Sequence, residues 1–450
     1  MIRDREHFSS GNTAIMAMAG SAIGLGNIWR FPYMVGQNGG AAFIVVYLLC
    51  VLFLCIPIML TETVIGRSTQ SNTFGALNKL APDTGWRWLA LLTVLSPLVI
   101  LSYYSVVGGW SMGYLFESVA GGFGEGVETM FAKFSSSVIG PLSCHTLFLL
   151  ATALVVLRGV KSGIEKFNRI SLPLLFILIV VVAVYSMTLP GASAGMTYLL
   201  KPDFSAFRPS TVAYAMGQAF FSLSLGVGTI LTYSSYMKRS ENILRTGAGT
   251  AVSDMVFAMI AGFAVMPAVF AAGIEPGAGP GLVFETLPYV FFKMGTAAPI
   301  LSRAASIVFF LAIVVAALTS SISMYEVGVA YLAEERGYSR KKAVAVIFAG
   351  TWTLGALCSL SFGPLARLKI FGLSIFGFCD AFTSNFLLTF GALLFVIFVG
   401  WKMKKAAVRD EFTNGGTLKA NCKLFGAAYF LIKYVAPVVI VLIFLTGLLG

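Results

Sequence analysis

The chain has 450 residues, a length that in water would divide into two or three domains. Apolar residues make up 58% and charged residues 11%, and the mean hydropathy is +0.87, so a soluble protein is excluded and lipid is the main solvent. The net charge of +12 does not point to nucleic acid, because Lys and Arg gather between apolar runs, as cytoplasmic loops require.

In chain order the apolar runs fall at 13–36, 41–70, 88–117, 142–160, 167–189, 212–236, 243–272, 298–333, 342–360, 370–400 and 424–449, which makes eleven expected spans. Strand patterning is absent, and helices satisfy their own backbone groups in lipid, so an all-α polytopic membrane protein follows. With the N-terminus cytoplasmic, 22 Lys and Arg lie inside and seven outside, while Arg30 and Lys433 fall within spans. That bias sets the N-terminus inside and, across eleven spans, the C-terminus outside. The six cysteines are scattered, with no CxxC pair and no disulfide spacing. Asp4 and Glu6 interrupt the start, so no cleavable signal peptide is expected.

Two runs read poorly as plain helices. The first contains Gly20-Ser21-Ala22-Ile23-Gly24-Leu25-Gly26-Asn27, and the sixth contains Phe221-Ser222-Leu223-Ser224-Leu225-Gly226-Val227-Gly228-Thr229. Each Gly costs about 1 kcal/mol against Ala in a helix. For either segment alone, close helix packing through small residues is the stronger reading. The pairing favours a break. Five spans separate the two segments, and an odd number inverts the second repeat. Matching interruptions in two halves point to a transporter site at the midplane. Freed carbonyls suit Na⁺, and half-helix N-termini suit a carboxylate.

The same segments carry a family resemblance. Gly24-Leu25-Gly26-Asn27-Ile28-Trp29-Arg30-Phe31-Pro32 and Asn38-Gly39-Gly40-Ala41-Ala42-Phe43 resemble the first-helix signature of neurotransmitter:sodium symporters. Gln218 to Gly226 resembles their sixth helix, and Ala317-Leu318-Thr319-Ser320-Ser321 their eighth. The resemblance, to the bacterial leucine-transporter type, runs through most of the chain. It implies a single transporter domain over 1–450 with a 5+5 inverted repeat: 13–189, then 212–400, with 424–449 as an extra helix.

It also implies two sodium sites and no organic cofactor. The first would use the Ala22 carbonyl, Asn27, Ser222 and Asp254 with the substrate carboxylate. The second would use the carbonyls of Gly20, Ile23 and Ala316 and the hydroxyls of Thr319 and Ser320. Animal relatives need chloride near Asp254, where relatives often have Asn. A fixed carboxylate there predicts chloride-independent transport. The substrate's carboxylate is expected at the Gly24 and Gly26 amides and the Tyr104 hydroxyl, and its amino group at the carbonyls of Phe221 and Ser224. Ile100, Tyr104, Phe221, Val227, Ser320 and Met324 would select the side chain. These offer no fixed charge, so neutral hydrophobic side chains are favoured. Val227 stands where the leucine-transporter type has Phe, which leaves room for aromatic substrates.

The family's outer gate suggests Arg30, Asp380 and Gln218 with Tyr104 and Phe221. Its inner gate suggests Arg5 with Glu334, supported by Phe8, Ser235 and Tyr236. Glu62 would take amides freed by the sixth-helix break. Gly163 and Pro173 frame nine residues that relatives unwind. The expected function is Na⁺-coupled import of neutral hydrophobic or aromatic L-amino acids across the cytoplasmic membrane, as a monomer or homodimer, without enzymatic activity. An amine or osmolyte carrier would want an acid where Gly24 sits. A membrane enzyme would want paired catalytic groups beyond the isolated His7 and His145. A non-transporting sensor with this fold remains a rival.

Overall fold

The computed structural model describes residues 6–205, 207–273, 283–296 and 298–449. Among these, nine helices are long and apolar enough to cross a bilayer. They are Ala41–Thr69, Trp86–Ala120, Ile139–Leu157, Val160–Met187, Ile243–Ala271, Pro299–Glu335, Arg340–Leu360, Ile375–Lys402 and Lys419–Leu445. They coincide with the second to fifth and seventh to eleventh runs and are called spans two to five and seven to eleven.

The first and sixth runs drop out of that set because each is interrupted. Span one is Gly11–Ala22 followed, beyond 23–25, by a wide π turn over Gly26–Arg30 and the helix Phe31–Gln37. Span six is Pro209–Ser222 and Thr229–Ser234, with 223–228 non-helical between them. The break in span one is narrower than the expected Gly20–Asn27. Gly20 to Ala22 stay helical, and the π turn, in which Phe31 N–H donates to the Gly26 carbonyl, takes up the slack. In span six Gly226 and Gly228 lie at φ of 80° and 72°, the left-handed region that glycine adopts without a Cβ penalty. Ser224 at φ 52° has no such freedom.

Spans three and eight, 35 and 37 residues long, pack along each other and against spans four and nine. Small residues permit the approach: a Cβ on Gly108 would lie 2.6 Å from the Phe148 ring, and one on Gly109 2.6 Å from the His145 amide nitrogen. Span one packs on seven, eight and five, and the second half of span six packs on span two. Span ten comes so close to the sixth break that a Cβ on Gly391 would lie 1.8 Å from the Gly226 carbonyl oxygen.

Two features depart from the sequence reading. Thr73–Leu80, Val127–Ser136, Ala192–Leu200, Thr286–Gly295 and Lys405–Thr413 are short helices in connections that hydropathy left blank. At eight to ten residues they are below spanning length, and a window sized for a bilayer averages them away. The nine residues between Gly163 and Pro173 are helical here, with Gly163 in a π turn over Val160–Glu165 and Pro173 inside Lys166–Met187.

Candidate functional site

The break in span one redirects its hydrogen bonds. The Gly24 amide donates to Asn27 Oδ1 at 3.0 Å, and the Leu25 amide to the Tyr104 hydroxyl at 3.1 Å, in place of carbonyls four residues back. The Asn27 amide turns to the Gly24 carbonyl at 3.2 Å, which releases the Ile23 carbonyl. The hydroxyls of Thr319 and Ser320 on span eight donate to that carbonyl at 3.2 and 3.3 Å. Thr319 also reaches the Ala316 carbonyl at 2.9 Å. Four of the five oxygens expected around the second sodium, those of Ile23, Ala316, Thr319 and Ser320, thus meet where span one opens against span eight.

Three of the four residues expected around the first sodium, Asn27, Ser222 and Asp254, form a second cluster. Asp254 is fully buried on span seven. Its carboxylate accepts from Asn27 Nδ2 at 2.7 Å, from Ser222 Oγ at 2.9 and 3.0 Å, and from the Tyr47 hydroxyl at 3.4 Å. Asn27 Nδ2 also donates to Ser222 Oγ at 3.0 Å. Spans one, two, six and seven are therefore tied at one acid. The carboxylate and the Ser222 and Tyr47 hydroxyls are oxygen donors of the kind a hard monovalent cation takes, while Asn27 presents Nδ2 here and keeps Oδ1 on the Gly24 amide. Tyr47 is a partner that the sequence reading missed, because nothing within its apolar run marks a hydroxyl aimed at another span.

Between the two clusters lies a small cavity lined by Ala22, Gly24, Gly26, Ile100, Tyr104, Phe221, Ser222, Ser224, Val227, Ser320 and Met324, all of which the sequence suggested, and by Leu388 on span ten, which it did not. Two of the groups expected to meet the substrate's carboxylate are engaged within the protein here: the Gly24 amide donates to Asn27, and the Tyr104 hydroxyl accepts from the Leu25 amide. Ser224 turns its hydroxyl to the Ser21 carbonyl at 3.3 Å, linking the two breaks.

On one side a single layer covers this cavity. Phe221 and Leu388 also line a larger vestibule together with Arg30, Met34, Tyr214, Phe220 and Asn385. The Arg30 guanidinium lies over the Phe221 ring at 4.6 Å. The expected Arg30–Asp380 contact is not a direct ion pair: Arg30 is held on the ring, and Asp380 accepts from Ser384 Oγ at 3.3 Å. Gln218 Nε2 donates to the Gly26 carbonyl at 3.1 Å, fastening span six to the break in span one.

The opposite side is sealed more deeply. Phe8 is buried edge-on against Tyr233 and Tyr236, with ring centroids 5.9 and 6.1 Å away, and its amide donates to the Tyr236 carbonyl. The Tyr236 hydroxyl donates to Glu326 Oε1 at 2.8 Å, and Arg340 pairs with Glu326 at 2.6 Å. Ser235 Oγ donates to the Thr232 carbonyl at 2.5 Å. Glu334 accepts from the amide and side chain of Asn72 at 2.8 and 3.0 Å. Arg5 lies outside the described residues. Glu326 and Arg340 were missed, although an acid inside an apolar run was the available signal.

Comparison with known proteins agrees with this geometry. The sodium:neurotransmitter symporter family model matches residues 5–124 and 131–449. An uncharacterized sodium-dependent transporter of Bacillus subtilis, YhdH, is 36% identical over 442 residues, covering 96% of this chain and 95% of its own. A sodium-dependent transporter of Haemophilus influenzae is 34% identical over 99% of both chains. The crystal structure of MhsT in complex with L-phenylalanine superposes with a TM-score of 0.88 at 38% identity, covering 98% of this chain and 100% of that one. The chain belongs to the sodium:neurotransmitter symporter family and is a sodium-dependent, multi-pass membrane transporter, not an enzyme.

Proposed function

We propose that this protein imports neutral hydrophobic or aromatic L-amino acids together with Na⁺ by alternating access, without a chloride requirement. The observation that carries this reading is the apolar cavity between the two helix breaks, one layer from the vestibule and walled by Ser222, which donates to the buried Asp254. A zwitterion fits the backbone polarity there, and an apolar side chain fits Ile100, Val227 and Met324. The relative MhsT holds L-phenylalanine, which supports the substrate class.

Cation binding and closure are coupled through charge. A buried carboxylate held only by neutral donors lacks a counter-charge, and Na⁺ beside Asp254, Asn27, Ser222 and the Ala22 carbonyl supplies one. That binding draws spans one, six and seven together around the substrate. A second Na⁺ among Gly20, Ile23, Ala316, Thr319 and Ser320 ties span one to span eight. Spans one, two, six and seven then rock against three, four, eight and nine. We place the N-terminus in the cytoplasm and the C-terminus outside, in a single domain of two inverted repeats and one extra helix. The thin Phe221 layer then faces outward and the Phe8–Tyr236–Glu326 seal inward, so this conformation is outward-facing and occluded. Inward movement of one charge gains about 2.3 kcal/mol per 100 mV of membrane potential.

Uptake of labelled L-phenylalanine into proteoliposomes tests the reading. It should require Na⁺, be lost in K⁺ or choline, and be competed by hydrophobic but not by acidic or basic amino acids. Equal uptake in choline would sink it. Val227→Phe should narrow the cavity. Uptake of Trp, Tyr and Phe is expected to fall about tenfold or more, with leucine reduced less than about threefold, since pocket volume discriminates by one to three kcal/mol. Parallel loss for all four in competition assays would remove Val227 from the selecting wall.

A further inference from the structure

Span five carries a polar group that the function so far leaves unused. Asn168 is fully buried. Its Nδ2 donates to the Ile164 carbonyl at 2.9 Å, while Oδ1 has no hydrogen-bond partner among the described residues. Buried acceptors are almost always satisfied, so an orphan marks a place for a donor or a cation.

The direction of this oxygen is informative. A Cβ built on Gly20 would lie 2.0 Å from Asn168 Oδ1 and 3.6 Å from Thr319 Cβ. Span one, span five and span eight therefore meet at one point. The amide that a continuous helix would aim at the Gly20 carbonyl, that of Gly24, has turned to Asn27. Thr319 there already contributes a hydroxyl close to the freed Ile23 carbonyl. The oxygens gathered at this point, Asn168 Oδ1, the Thr319 hydroxyl and the Ile23 carbonyl, are all neutral, which suits a monovalent hard cation better than a divalent ion needing carboxylates.

We infer that Asn168 Oδ1 is an additional ligand for the second Na⁺, supplied by span five. The inference rests on the sodium-coupled reading above and deepens it, because the ligand set implied by the family resemblance takes nothing from span five. It gives that span a part in cation release. Asn168 stands between Gly163 and Pro173, so any unwinding of this segment withdraws the oxygen and loosens the ion.

Binding of ²²Na⁺ to purified protein without amino acid tests this, read beside the melting temperature. Asn168→Ala should raise the half-saturating Na⁺ about threefold to tenfold, a loss in the range of one ligand. Asn168→Asp should lower it by a similar factor and slow ²²Na⁺ release, which misfolding does not produce. Affinities of both variants within twofold of the parent would overturn the inference, and so would equal weakening in both, the mark of a water-bridged structural asparagine. A parent that binds no ²²Na⁺ overturns the sodium-coupled reading along with it. A parent that binds while the variants are indifferent overturns the assignment of Asn168 alone.

Discussion

Glu62→Ala is expected to lower the melting temperature sharply and abolish uptake, with Glu62→Gln falling between it and the parent. Glu62 is fully buried on span two, and its two oxygens accept from the Gly226 amide at 2.8 Å and the Leu231 amide at 3.3 Å. Both donors belong to the sixth break and the helix start beyond it, where helical acceptors are missing. A stranded buried donor costs about 1–3 kcal/mol, so alanine should cost about 2–6 kcal/mol. Glutamine keeps one acceptor but turns an NH₂ toward the other amide, so part of the loss remains.

The neighbourhood gives this segment no way to relax. A Cβ on Gly226 would lie 2.2 Å from the Leu388 carbonyl and 2.5 Å from the Ala392 amide nitrogen, so the backbone of the break already rests on the backbone of span ten. On the other side, a Cβ on Gly66 would lie 2.2 Å from the Leu231 carbonyl. With both flanks in contact the freed amides cannot turn to water or find new partners, and the cost falls on the fold. Size-exclusion thermal profiles in detergent, read beside Na⁺-driven uptake, check the ordering. Alanine protein that melts and transports like the parent would show that Glu62 does not hold the break.

Sequence and structure agree where the bilayer imposes the pattern. Lipid demands long apolar helices, so the runs that became spans two to five and seven to eleven were visible in hydropathy alone. The breaks were visible because Gly24-x-Gly26 and Gly226-x-Gly228 stand at matching places in two halves. The partners of those breaks were not. Asn27 and Asp254 are 227 residues apart, and no local period links them; only the family resemblance put them together. Tyr47, Leu388, Glu326 and Asn168 went unnoticed for the same reason, since each acts through a contact between spans while its own run reads as ordinary helix. The Arg30 side chain shows the converse. An embedded cation was expected to seek an acid, but its guanidinium lies over the face of Phe221 instead.

Replacing chloride with gluconate should leave uptake by the parent protein unchanged, whereas Asp254→Asn should cut uptake at fixed Na⁺ by at least about tenfold and make the remainder chloride-stimulated. Asp254 is enclosed by Asn27, Ser222 and Tyr47, none of which carries charge, so its carboxylate is the fixed negative charge of this cluster. Asparagine keeps the volume and an acceptor oxygen while removing the charge. Two unit charges about 4 Å apart attract by about 4 kcal/mol at an effective dielectric of 20. A tenfold loss corresponds to about 1.4 kcal/mol, so it is a floor for removing such a partner from a bound Na⁺. A mobile anion admitted to the emptied place restores part of that attraction, which is why chloride should now help. The half-saturating Na⁺ should rise in the variant and fall again as chloride is added, at a melting temperature near the parent's. Parent uptake that collapses in gluconate, or a variant with parental Na⁺ dependence, would show that the Asp254 charge does not balance the transported cation.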